Sequence, residues 1–181
     1  MSTTDTDTDT DTATLRSRLL VLADHFEIRD LLDRYVITLD THDERQFDDS
    51  WYRTIFTEDA QLNFPINSYE GVAGLADFET RSKSNWEQTH HVSSNCAIDL
   101  DGDRATVRAQ VLATHVHLPS TLVERGNDSH ALFTFGGYYD AEVLRTADGW
   151  RFRLLTLHVV WHTGEGPPAN SDVHGEMRAE P

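Results

Sequence analysis

Arg104-Ala105-Thr106-Val107-Arg108-Ala109-Gln110-Val111-Leu112-Ala113-Thr114-His115-Val116-His117 changes side-chain character at every step. Val107, Ala109, Val111, Ala113, His115 and His117 share one face, and Arg108, Gln110, Leu112, Thr114 and Val116 share the other. A period of two is the signature of a strand with one face turned to a core. Asp101-Gly102-Asp103 stands just before it and signals a tight hairpin turn, so His91 to Leu100 is predicted to be the partner strand. A second long hairpin, Leu132 to Leu144 and Trp150 to His162, is predicted about Thr146-Ala147-Asp148-Gly149. The Gly136-Gly137 pair inside it is read as a bulge that bends the sheet.

Upstream the period changes to that of helices. Leu15, Leu19, Leu22 and Phe26, then Leu31, Leu32, Tyr35, Val36 and Leu39, predict one long helix, with a possible break near Asp24. It should end at the polar run Asp40-Thr41-His42-Asp43, with Asp43 capping a second helix that carries Phe47, Trp51, Ile55 and Phe56 inward. A short strand from Ala60 to Phe64, a brief edge strand or turn at Tyr69 to Val72, and a third helix from about Leu75 to Trp86 follow. Pro119 to Asn127 reads as a polar loop. Helices segregated ahead of a meander give an α+β fold: a cone-shaped, curved, mostly antiparallel sheet with three helices packed across its concave face. Strands this long cannot stay flat, and a curled sheet closed by helices makes a natural chamber.

The Thr-Asp repeat at residues 4–12 favours a disordered acidic tail over residues 1–14, with the domain at 15–163 and a flexible tail from 164 to 181. Thirty-one acidic against fifteen basic residues give a formal charge of −16, a field that repels nucleic acid and anionic membranes. Cys96 is the only cysteine, so an internal disulfide is impossible. No basic leader opens the chain and no apolar run is long enough to span a bilayer, so a cytoplasmic location is expected.

Ionisable groups facing an apolar interior are where chemistry is to be sought, because burial moves their proton affinities. Asp40 sits at a helix C-terminus, where a carboxylate opposes the macrodipole and is not placed for stability alone. Of the neighbours His90 and His91, strand geometry lets only one face the chamber, and alternation leaves the choice open. His115 and His117 lie on the core face of their strand. Such a His-x-His could hold a metal given a third ligand, but no carboxylate–histidine signature stands beside it and no metal is expected. Tyr35, Tyr138, Tyr139, Trp86 and Trp161 are candidate walls or donors, and Trp51 and Phe64 further candidate substrate contacts. No Walker loop, dinucleotide fingerprint or nucleophile elbow occurs.

Several stretches in order resemble the SnoaL-like group of the nuclear transport factor 2-like superfamily, which includes scytalone dehydratase. They are Arg34 to Asp43, Phe56-Thr57-Glu58-Asp59-Ala60, Thr89-His90-His91-Val92-Ser93-Ser94-Asn95, Asp101 to Ala105, Gly137-Tyr138-Tyr139, and Asp148-Gly149-Trp150-Arg151-Phe152. The resemblance implies a deep apolar cavity, a homo-oligomer with a dimer favoured, and acid–base chemistry on a small molecule without a cofactor. It places the catalytic aspartate at Asp40, the first histidine at His91 and a second at His115 or His117, with His115 favoured; the proton donor of the expected mechanism is His115 or Tyr35. Asn95 would anchor the first histidine, and His90 and His117 become further substrate contacts. The implied function is a dehydratase, isomerase or cyclase of polyketide-type metabolism; a binding or assembly module using the same cavity is the alternative.

Overall fold

The computed structural model describes residues 4–41, 47–65, 67–126 and 131–167, with side chains from residue 11 onward. Among them the order is α1 (Thr4–Leu39), α2 (Asp49–Tyr52), β1 (Phe56–Asn63), β2 (Ser68–Glu70), α3 (Leu75–Lys83), β3 (Trp86–Asp101), β4 (Arg104–His117), α4 (Pro119–Glu124), β5 (Leu132–Thr146) and β6 (Gly149–Thr163). The six strands form one curved sheet in the order β2-β1-β6-β5-β4-β3. Every neighbouring pair is antiparallel except β1 with β6, which run parallel. This is the α+β architecture that the alternation of β4 predicts.

Val107, Ala109, Val111, Ala113, His115 and His117 of β4 are all buried, as their shared face requires. Against the inner face of the sheet lie Ile28, Leu31, Leu32, Tyr35 and Val36 of α1, joined by Tyr52, Phe56, Phe152 and Leu155 in one core. Helix α1 is continuous through Asp24, whose carboxylate accepts the Trp150 indole N–H at 3.2 Å and pairs with Arg145 at 2.6 Å. The Gly136-Gly137 bulge is real: the β5–β6 register slips there, and a Cβ on Gly137 would stand 2.0 Å from the His158 carbonyl.

The sequence reading errs at several boundaries. Helix α1 begins at Thr4, so the repeat taken for a disordered tail is helical; a helix anchored further along propagates at little cost per residue. Its first apolar stripe is not core, since Leu15, Leu19, Leu22 and Phe26 are exposed and burial starts at Ile28. The second helix is only four residues long, capped by Asp48, whose carboxylate accepts the Trp51 N–H at 2.9 Å. The proposed Asp43 cap lies outside the described residues. Phe56 opens β1 rather than closing a helix. Pro119 starts a short fourth helix where a loop is predicted, as the fixed φ of proline at a first helical position allows. The segment from Gly164 is held as far as Pro167, for the carbonyls of Glu165 and Gly166 bond to His117 and Arg125. No helix among the described residues is long and apolar enough to cross a membrane.

Candidate active site

The cavity between helices and sheet is walled by Leu39, Phe64, Phe78, Trp86, Phe133, Phe135, Tyr139, Leu157 and Val159, with Glu79, Lys83, Thr89, His91 and His115 among its polar lining. How His91 rather than His90 comes to face it is a matter of register. The pairing of β3 with β4 slips between Trp86 and Gln88, which leaves Glu87 and Gln88 both outward. Beyond that bulge the inward parity passes to Thr89 and His91, and His90 is exposed on the other side. A second slip between Ser94 and Ala97 reverses the parity again.

β3 is an edge strand, so its outward N–H groups lack a strand partner. The turn after α1 supplies one. Asp40 Oδ2 accepts the His91 backbone N–H at 2.7 Å, and Asp40 Oδ1 lies 2.7 Å from His91 Nδ1. Two residues before His91, the Thr89 hydroxyl donates to the carbonyl of Leu39, the residue before Asp40, at 2.9 Å. The His91 side chain is 8% exposed and that of Asp40 22%. Burial raises the Asp40 carboxyl, but the hydrogen bonds from the His91 side chain and backbone outweigh it and hold the group below its ordinary range. An ionised carboxylate only accepts, so the proton between them belongs to His91 Nδ1. That tautomer leaves Nε2 with a bare lone pair, the form of imidazole that can take a proton from carbon.

His115 stands edge-on to His91, with ring centroids 5.2 Å apart, and is sandwiched among Trp86, Phe133 and Phe135. Burial, reinforced by His91, pushes it down to about 3, so it is neutral at physiological pH. Its Nδ1 is buried with no hydrogen-bond partner among the described residues. It can polarise or orient a ligand but carries no spare proton.

Other expectations need correction. Tyr35 is fully buried and does not line the cavity; its hydroxyl donates to Glu79 Oε1 at 3.0 Å, and burial holds it far above the range in which a phenol gives up a proton. His117 shares the face of His115 but lies deeper along the strand, where its Nε2 meets the Glu165 carbonyl at 3.0 Å and Arg125 stands over it. Trp51 packs between Phe47 and Tyr52, away from the cavity. Asn95 is exposed at the second bulge with φ 47°, a left-handed backbone that asparagine tolerates; it anchors the bend, not the histidine. Phe64, Trp86 and Tyr139 do line the cavity. Among the described residues no three His, Cys, Asp or Glu side chains converge as a metal site.

The sequence reading missed Glu79, a carboxyl 4% exposed on the cavity wall. Its signal was present: Glu79 follows the buried Leu75 by one helical turn and so stands on the same inward face of α3.

Residues 20–156 match the family model of the SnoaL-like domain. An uncharacterised protein of Mycobacterium tuberculosis is 30% identical over 134 residues, which is 72% of this chain and 81% of the relative. The fold is shared with a putative scytalone dehydratase from Novosphingobium aromaticivorans, with TM-score 0.62, 21% identity, and coverage of 94% of this chain and 99% of that one. It is shared too with hexachlorocyclohexane dehydrochlorinase LinA-type3 from Novosphingobium barchaimii, with TM-score 0.66, 20% identity, and coverage of 88% and 98%.

Proposed function

The chain belongs to the SnoaL-like domain family, and on that premise we propose that it is a cofactor-independent lyase or isomerase that removes a proton next to a carbonyl of a small, largely apolar, oxygenated molecule. The observation that carries the reading is the Asp40–His91 pair at 2.7 Å, opening on an apolar cavity. Asp40 fixes the tautomer of His91 and stabilises the imidazolium that forms when Nε2 takes the proton. The apolar, aromatic walls lower the local dielectric beside the pair, which strengthens it. His115, neutral and adjacent, orients the carbonyl or the developing enolate. Dehydratase and dehydrochlorinase are what the two structural neighbours are called, and an elimination of water or of HCl breaks a C–H bond. A place in polyketide-type metabolism belongs to the same proposal.

Exchange of the α-protons of 4-phenylbutan-2-one for deuterium, followed by proton NMR in D2O, tests it. The intact protein should accelerate exchange, and His91→Gln and Asp40→Asn should each lose ~10²–10⁴-fold of that acceleration. Binding of the ketone with no acceleration would instead mark a binding module.

A further inference from the structure

Resting on the lyase reading, we propose that Glu79 is the acid of this cavity: a neutral carboxyl that protonates the departing hydroxyl of a β-hydroxy carbonyl substrate while His91 takes the α-proton.

Glu79 is held by a donor that itself stays protonated. Tyr35, wholly enclosed on α1, gives its O–H to Oε1. Among the described residues no group bonds Oε2, and the side chain lines the cavity. Two phenols flank the carboxyl besides Tyr35: Tyr52 from the α2 side and Tyr139 from β5, both kept protonated by burial first and the nearness of Glu79 second. The one cation near it among the described residues, Lys83 on α3, directs its ammonium to the carbonyls of Thr38 at 3.3 Å and Thr41 at 3.0 Å. The imidazoles of His91 and His115 line the same chamber, with Asp40 bonded to His91. Desolvation therefore prevails over the Tyr35 hydrogen bond and Lys83, and the carboxyl is raised to about 7. A group of that kind is protonated in about half of the molecules at neutral pH and can give up its proton within one catalytic cycle. Neutral His115 and the enclosed Tyr35 cannot play this part, burial keeps the Tyr139 phenol protonated, and the Lys83 ammonium is turned to two backbone carbonyls, which leaves Glu79 as the proton source on the wall.

The step balances without an external reagent. The α C–H bond breaks to His91 Nε2, and its electrons form the C=C bond. The β C–O bond breaks with its electron pair on oxygen. That oxygen takes the proton from Glu79 Oε2 and leaves as water. Imidazolium and carboxylate then reset by proton exchange with solvent once the alkene has left.

Two measurements decide it, both with the intact chain. Infrared difference spectra across pH 5–9 should show a buried carboxylic C=O band present at pH 6, lost by pH 8, and missing from Glu79→Gln. No such band at pH 6 overturns the proposal. The second uses 4-hydroxy-4-phenylbutan-2-one and 4-chloro-4-phenylbutan-2-one, which give the same enone but differ in the need for a proton on the leaving group. Glu79→Gln keeps the acceptor for Tyr35, and it should lower the hydroxyl-to-chloride ratio of kcat/KM by ~10²–10⁴-fold. His91→Gln should slow both substrates and leave that ratio within a few-fold. An unchanged ratio in Glu79→Gln, or an intact protein that expels chloride but not water, overturns the role of Glu79 alone. Turnover of neither ketone contradicts the lyase reading together with it.

Discussion

Two histidine–aspartate pairs occupy opposite faces of one sheet, and they do different things. On the inner face His91 Nδ1 and Asp40 meet at 2.7 Å, with side chains 8% and 22% exposed. On the outer face His158 Nε2 stands 3.5 Å from Asp140, with side chains 42% and 36% exposed. Asp140 is already held by Arg108 through two bonds of 2.7 Å, and Tyr138 stacks on His158 in the open. Residue type is common to both pairs; solvent is not. Inside, the carboxylate has one strong partner and selects one tautomer. Outside, water and a guanidinium share the carboxylate, and the imidazole is left without a defined task. Burial and exclusivity of the partner, rather than the pairing itself, are what the proposed proton-handling role of the inner pair rests on.

The largest effect should come from breaking each pair in turn. His91→Gln or Asp40→Asn should cost the α-proton exchange ~10²–10⁴-fold, while His158→Gln and Asp140→Asn leave it within a factor of two or so, read by the same NMR assay. Equal losses on both faces would erase the distinction.

Next in size is the pH dependence of stability. The folded-state carboxyl of Glu79 is raised from 4.5 to about 7, so the folded state holds that proton more tightly than the unfolded chain. Its contribution is complete below about 4.5 and is lost as pH rises through about 7. His115 is lowered from 6.5 to about 3, so its contribution is complete above about 6.5 and is lost as pH falls through about 3. The two oppose each other between pH 4.5 and 6.5. Replacing Glu79 by Gln should expose the His115 slope, with the variant gaining on the parent by on the order of 3 kcal/mol from pH 4.5 to 8 in urea denaturation. A parent and variant with parallel profiles would place Glu79 in water.

The smallest effect concerns salt. Raising ionic strength from about 0.05 to 0.5 M should leave the rate of α-proton exchange in place, while the exposed Arg108–Asp140 pair loosens, visible in the guanidinium N–H signals of Arg108 by NMR. A salt-sensitive exchange rate would mean that bulk water reaches the cavity.

How far these faces could be read from the chain alone depended on where the period of two held. β4 alternates without interruption, and every inward residue from Val107 to His117 is where its pattern puts it. β3 does not, because its two register slips each move one residue out of count. The choice between His90 and His91 was therefore invisible to alternation, and only the family resemblance pointed to His91. Asp40 was legible as a carboxylate at the wrong end of a helix dipole. Glu79 was not, since on a helix as short as α3 a charged residue looks like solvent-side material, and only its spacing from Leu75 betrays it. Tyr35 and His117 failed for the opposite reason: an inward side chain is usually core, and here one serves Glu79 while the other is closed off by Arg125 and the chain after Gly164.

Long-range proton–nitrogen NMR correlations of the His91 ring, assigned by comparison with His91→Gln, address the dyad most directly. In the neutral ring the account predicts the proton on Nδ1, shifted far downfield by the Asp40 carboxylate, with Nε2 bare and its resonance moving when a ketone fills the cavity. A neutral ring carrying its proton on Nε2, or a nitrogen indifferent to both ketone and Asp40→Ala, would contradict it.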